Sequence, residues 1–413
     1  MNKYSIKNIR LQFPVFSHKI NNYPLIYFDN AATVHKPIQV ITALKNFYKY
    51  HYASIHRSIY TLSMQATDTV EKIREQIAHF IGAQYTQEII FTKSTTEGIN
   101  LIANTWAINN LNKHDNIIIS EMEHHSNILP WKILSYKIGF KINIIPLTNT
   151  GTLQIEKLSK LIDTHTKLIS ITYISNVLGT INPIKNIIQK AKKNNIIIII
   201  DGAQAITHHK INVKDLGCDF FVFSGHKIFG PTGIGILWGK KNILENMEPW
   251  ETGGGMILNF QKNSKPIWEQ IPWKFEAGTP NIAGIIGLGA ALKWFKTYDI
   301  QEIIAYNKFL TKYILQKLKL IPGIKIFGNH LSDNRVGIIA FNLYRHHAYD
   351  IGSFLDQYGI AIRTGHHCAI PIMNFYNVKT MCRVSFTIYN SIEEIDFFIK
   401  KIIYINNLLS KKL

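Results

Sequence analysis

The hydrophobic positions change period along the chain, and the changes mark its elements. Short, β-branched apolar runs alternate with polar loops and with stretches where apolar residues recur at helical spacing. The runs are Glu88 to Thr92, Asn116 to Ser120, Leu168 to Tyr173, Ile196 to Ile200 and Phe220 to Phe223, preceded by a short strand over Pro24 to Phe28. From about Ala66 to Ile81 the spacing is helical, and Gly82 stands where a C-cap belongs. The alternation predicts an α/β architecture with a largely parallel sheet covered by helices on both faces. After an irregular, glycine-rich region from Thr252 to Pro280, helical patterning resumes and leads into a second unit. There, Val336 to Leu343 and Arg383 to Ile388 read as strands, Ala348 to Tyr358 as a helix, and a closing helix starts at Ser391. The expected division is an N-terminal segment 1–23, a large domain 24–295 and a smaller C-terminal α/β domain 296–413.

In such sheets the ligand lies beyond the carboxyl ends of the strands. The residues just past the successive runs are Lys93 to Gly98, Glu121 to Asn127, Ser175-Asn176, Asp201 to Gln204 and Ser224 to Lys227. Lys227, in a loop of small and polar residues after a buried strand, can hold pyridoxal phosphate (PLP) as a Schiff base, or it is a plain loop lysine. PLP makes further demands. A buried carboxylate must keep its pyridinium protonated, and Asp201 suits this, although a carboxylate at a strand end can instead cap a helix. Gln204 stands where it can reach the phenolic oxygen. Thr95 and Thr96, opening the helical stretch Ile99 to Trp106, offer a phosphate site, or simple N-capping. Ser224 and His226 would add donors on the phosphate's far side, and His124 offers a flat partner for the ring. Each signal is weak alone; all of them at successive strand ends favour the cofactor.

Composition narrows the picture. The 413 residues suffice for two domains, and 46% apolar with 18% charged residues is globular. No apolar run approaches a membrane span, and Met1 to Lys7 lacks the apolar stretch of an export signal, so a cytoplasmic location and no membrane partner are expected. The net charge of +19 comes from dispersed lysines, with no basic tail beyond Lys411-Lys412, which argues for surface drift rather than a nucleic-acid partner. The run Gly230 to Gly235 mimics a dinucleotide fingerprint but does not sit between a strand and a helix. Three cysteines are too few and too scattered for a disulfide framework or metal site. Cys218 and Cys382 read as packing residues. Cys368, preceded by Arg363, His366 and His367, lies in a setting that can favour a thiolate.

These stretches carry a resemblance. Asp201-Gly202-Ala203-Gln204 and Ser224-Gly225-His226-Lys227 are similar to class V (fold type I) aminotransferases, and Arg363-Thr364-Gly365-His366-His367-Cys368 resembles SufS-type (group II) cysteine desulfurases. The likeness extends through Asp29 to Thr33, His56-Arg57, Glu123-His124-His125, Ser175 to Thr180, Phe275 to Pro280 and Met381 to Arg383. It implies PLP on Lys227 beneath His124, with Asp201 at the pyridine nitrogen, Gln204 at the phenolic oxygen, and Thr96, Ser224 and His226 at the phosphate. It implies Arg383 at the substrate carboxylate with Asn176 and Arg363 nearby, although an arginine in a strand also serves as a structural ion pair. Thr279 would reach the phosphate in the neighbouring subunit of a homodimer. The implied reaction takes L-cysteine to L-alanine and leaves a persulfide on Cys368, with selenocysteine lyase chemistry as a side activity. The compact loop before Cys368 resembles the group that passes sulfur to a SufE-like or SufU-like acceptor and a Suf-type scaffold for iron-sulfur clusters. The rival readings are a transaminase or dedicated selenocysteine lyase of the same fold, and a basic, non-catalytic nucleic-acid-binding or scaffold protein.

Overall fold

The computed structural model describes residues 6–329, 332–344 and 346–410, so Met1 to Ser5 and the Lys411-Lys412 pair lie outside the described residues. The five apolar runs become β1 (Ile89–Thr92), β2 (Asn116–Ser120), β4 (Thr166–Thr172), β5 (Ile197–Asp201) and β6 (Phe220–Ser224), and two further strands, β3 (Lys141–Ile145) and β7 (Gly235–Gly239), join them. They form one 7-stranded sheet in the order β1-β7-β6-β5-β4-β2-β3. The pairs from β6 through β5, β4 and β2 to β3 are parallel, whereas β7 is antiparallel to both neighbours.

Successive side chains of a strand face opposite ways. Ile198, Ile200, Phe221 and Phe223 enter one apolar cluster, while Ile199, Phe220 and Val222 enter another on the other face. The sheet is therefore buried on both sides, as the unbroken isoleucine runs require. At about 1.5–3 kcal/mol per fully buried large side chain, these strands anchor whatever hangs from their ends.

A second sheet is built from β8 (Ile324–Ile326), β9 (Ile338–Leu343), β10 (Arg363–Gly365) and β11 (Met381–Ser385), in the order β8-β9-β11-β10 with antiparallel pairs. The helices Ile300–Leu318, Ala348–Asp356 and Ile392–Ser410 supply its own apolar cluster. Ile26–Tyr27, read from sequence as the first strand of the large unit, pairs in parallel with Ile360–Ala361 and adds Ile26 and Phe28 to that cluster.

Other differences from expectation have local causes. The first long helix starts at Thr61 rather than near Ala66 and ends at Ile81, with Gly82 in the left-handed region at φ 67°. Its opening residues Leu62 and Met64 are exposed, so the apolar period does not mark that turn. The run Gly230 to Gly235 leads into the reversed strand β7, not a helix. Both β7 and β3 went unread from sequence: β7 is bounded by glycines that read as loop, and β3 mixes Lys141 and Asn143 into its isoleucines because it is only partly buried.

Candidate active site

The carboxyl ends of the parallel strands meet β10, β11 and the loop after β10 at a cleft of about 260 Å³. Its lining includes Thr95, Thr96, His124, Asn176, Asp201, Gln204, Ser224, His226, Lys227, Arg363, Cys368 and Arg383. Every candidate from the sequence is there except Thr279, which is exposed in a separate concavity beside His56, Arg57 and Gly254.

Asp201 ends β5 and is 4% exposed. Glycine must follow it, because a Cβ on Gly202 would stand 2.0 Å from the Phe221 ring. The chain can then turn so that the Ala203 amide donates to Asp201 Oδ1 at 2.9 Å. Burial raises the pKa of this carboxyl, partly offset by the Lys227 charge. Gln204 donates from Nε2 to Ala31 O at 2.7 Å, which orients its amide and leaves the second amide hydrogen for a ligand.

Lys227 closes a tight turn, Gly225–Lys227, after β6. The carbonyl of His226 is held by three donors from one upstream segment: Val34 N at 3.2 Å, Thr33 Oγ1 at 3.3 Å and Lys36 Nζ at 3.2 Å. Burial lowers the pKa of Lys227, with Asp201 opposing and Arg383 adding to the effect. Its amine is thereby shifted towards the neutral form that a Schiff base or a proton acceptor needs. Burial also lowers His226, to about 4. On the other side of the cleft, Ser224 Oγ accepts from Thr95 N at 2.8 Å and lies 2.7 Å from Thr95 Oγ1, which ties β6 to the first turn of the helix Thr95–Ile102. Thr96 Oγ1 lies 2.7 Å from Ser126 Oγ. Hydroxyls and a helix N-terminus thus converge where an anion would sit.

His124 accepts on Nδ1 from the Ser126 amide at 3.1 Å. An N–H donor there requires the ring proton on Nε2. Burial first, then the charge of Lys227, lowers its pKa to about 3, so it is neutral. Beneath it Glu123 is fully buried and accepts from Asn127 Nδ2 at 2.7 Å, Thr172 N at 2.8 Å and Ser120 Oγ. Desolvation pushes that carboxyl up to about 8.

Arg383, 2% exposed in the middle of β11, donates from Nη2 to Asp29 Oδ1 at 2.6 Å and from Nη1 to Asn176 O at 2.9 Å. The structural ion pair and the cleft position are therefore both present, and its Nε is buried with no partner. Arg363 Nη1 lies 4.0 Å from Asp29 Oδ2. Asn176 spends its amide nitrogen on His367 O at 2.8 Å, so it supports the cysteine loop. Cys368 is half-buried, between β10 and the helix Ile370–Phe375. Cys218 and Cys382 are buried in apolar clusters, and desolvation drives both thiols well above the usual range.

Glu123 and His125 stood in the sequence reading only as members of the strand-end stretch Glu121 to Asn127 and of the resemblance, and Asp29 only in the resemblance, none with a role of its own. Their roles at the site come from contacts across long stretches of chain. Among the described residues, no cluster of histidine, cysteine and carboxylate side chains could hold a metal.

A family model, aminotransferase class-V, matches residues 26–398. A cysteine desulfurase of Escherichia coli O7:K1 is 50% identical over 406 residues, covering 98% of this chain and 99% of its own. Among solved structures, the E. coli cysteine desulfurase CsdA aligns with a TM-score of 0.89 and 34% identity, covering 97% of this chain and 98% of its own. An apo cysteine desulfurase from Thermococcus onnurineus aligns with a TM-score of 0.92 and 34% identity over the same shares.

Proposed function

The chain belongs to the aminotransferase class-V family, and on that footing we propose that it is a PLP-dependent cysteine desulfurase of the SufS type. It takes L-cysteine to L-alanine and keeps the sulfur as a persulfide on Cys368. The observation that carries this reading is one cleft holding a desolvated lysine, a buried carboxylate, a buried arginine and a thiol.

The residues fit PLP. Asp201 lacks a cationic hydrogen-bond donor that a pyridinium N–H would provide, and Ser224, Thr95 and Thr96 cluster at a helix N-terminus that suits a phosphate. Lys227 would hold the aldehyde carbon, Gln204 the phenolic oxygen, His124 one ring face and His226 a further phosphate oxygen. Bound there, the ring supplies an electron sink for charge left on the substrate's α-carbon.

The chain's own groups do the rest. Arg383 and Arg363, which both line the cleft, hold the substrate carboxylate, while Asn176 fixes the loop wall beside it. Lys227 Nζ, released when the substrate amine takes its place at the aldehyde carbon, takes the α-proton. His124 donates from Nε2 towards the substrate sulfur. Cys368 Sγ attacks that sulfur as thiolate: the S–S bond forms as the Cβ–S bond breaks, and the electron pair stays on carbon, which gains a proton and ends as alanine.

The same geometry would take selenocysteine. A half-buried thiol in a compact loop suits hand-over to a SufE-like or SufU-like acceptor for a Suf-type iron-sulfur scaffold. Exposed Tyr48, Tyr50, Tyr52, Ile59 and Tyr60, together with Thr279 outside its own cleft, support a homodimer in which Thr279 serves the partner's phosphate. Units 24–295 and 296–413 would form the two domains, and the cytoplasm the compartment. No helix among the described residues is long and apolar enough to cross a membrane.

The test is an absorption spectrum of the purified protein before and after L-cysteine, with alanine and reductant-released sulfur counted. Yellow protein that forms alanine is expected for wild type, and Cys368→Ala should stay yellow and form about 100-fold less or none. Equal alanine from Cys368→Ala would sink the persulfide mechanism.

A further inference from the structure

The loop that carries Cys368 is held from outside. His367 and Cys368 are consecutive non-glycine residues with φ of 51° and 54°, a left-handed pair that needs surrounding contacts to persist. Within the loop, the Cys368 amide donates to His366 Nδ1 at 3.1 Å. The contacts from elsewhere converge on a few atoms, and one residue supplies two of them. The His125 amide donates to Cys368 O at 2.8 Å, and the His125 ring accepts at Nε2 from the Ile370 amide at 3.2 Å. His125 thus grips the loop on both sides of Ala369. The second contact demands a neutral ring with its proton on Nδ1. Burial and the neighbouring His366 ring, 5.7 Å away, both favour the neutral form.

His125 also follows His124 directly, and Glu123 pins the start of that tripeptide to β2 and β4. A displacement of the loop relative to His125 is therefore a displacement of the thiol relative to the ring-facing histidine. We infer that His125 is the positioning residue for Cys368, setting the distance between thiol and substrate sulfur through the Cys368 carbonyl and the Ile370 amide. The inference rests on the reading of Cys368 as the sulfur acceptor. Reaction rates are steep in such a distance, and about 1 Å of misplacement can cost 100-fold.

The test compares His125→Phe, which keeps a ring but has no acceptor, with His125→Gln, whose side-chain oxygen can reach the position of Nε2. Alanine formation is followed against cysteine concentration, and iodoacetamide labelling of Cys368 is followed by peptide mass. For His125→Phe we expect unchanged colour, KM within about twofold, kcat down about tenfold, and faster labelling of Cys368. His125→Gln should recover most of the lost kcat and slow the labelling again. Wild-type kcat and labelling in His125→Phe would overturn the inference, as would a His125→Gln variant no better than His125→Phe. Should His125→Phe fail to fold, His125→Asn, too short to reach the Ile370 amide, decides by the same readouts. Undiminished alanine formation in Cys368→Ala would instead overturn the underlying reading, whatever His125 variants do.

Discussion

The floor and the wall of the cleft are built on different principles. Asp201, Ser224 and the Lys227 turn stand at the ends of strands whose flanking residues fill two apolar clusters. Cys368 stands on a loop with two left-handed residues, fixed by hydrogen bonds from Asn176, His125 and His366. Moving the floor means disturbing a sheet buried on both faces, whereas moving the wall breaks a few bonds worth about 0.5–1.5 kcal/mol each. A cofactor that stays through every turnover wants the first kind of support. On the function proposed above, the thiol receives sulfur in the cleft and surrenders it outside, which wants the second.

The largest effect that would sharpen this contrast is Lys227→Ala. Loss of the yellow colour and of about 1,000-fold or more in alanine formation is expected, with the Cys368 loop undisturbed in a crystal structure. A yellow variant would break the assignment of the floor. Next is Asn176→Ala, which removes the donor to His367 O and leaves that carbonyl unsatisfied. Colour should persist while kcat falls about tenfold, and hydrogen exchange at Cys368 and Ala369 should quicken. Loss of colour would mean that wall and floor are not separable.

The smallest effect concerns acid. His208, behind the floor, and His367, in the wall, are 8% and 4% exposed, and burial lowers them to about 3 and about 2. In the unfolded chain each takes up a proton near pH 6.5. Between that pH and their folded values the unfolded state binds more protons, so stability is fully present above about pH 6.5 and falls as the pH drops. Unfolding free energies from urea titrations at pH 7.5 and 5 should differ by about 1–2 kcal/mol per group. If His367→Gln removes as much of that loss as His208→Gln, wall and floor unfold together; a smaller share from His367 means that the wall opens first.

The floor was legible in sequence because a parallel sheet places its ligand at strand ends, so Asp201, Ser224 and Lys227 could be found by counting from apolar runs. The doubly buried sheet was legible for the same reason. Strand β7 was not, since the glycines that open and close Gly235-Ile236-Leu237-Trp238-Gly239 read as loop and the strand reverses direction. Nor could sequence show that Asn176, in the cleft lining, also donates to the His367 carbonyl, or that Arg383 already holds Asp29. The first depends on the large sheet meeting the cysteine loop, and the second on the segment after Ile26–Tyr27 joining the second unit, where Asp29 bridges to Ser385. Glu123 carries no sequence signal for burial, because a carboxylate beside two histidines reads as surface until three donors are seen around it.

The pairing of Ile26–Tyr27 with Ile360–Ala361, and of Asn30 with the Ser385 carbonyl 355 residues later, bears on how the molecule is made. Synthesis runs from the first residue to the last, so a chain still on the ribosome can assemble the sheet and its lysine while Asp29 waits for Arg383. The thiol and the arginine arrive only with the final segment. An unfinished or truncated chain therefore has no completed cleft with which to liberate sulfur, and the cell is spared a half-made source of it.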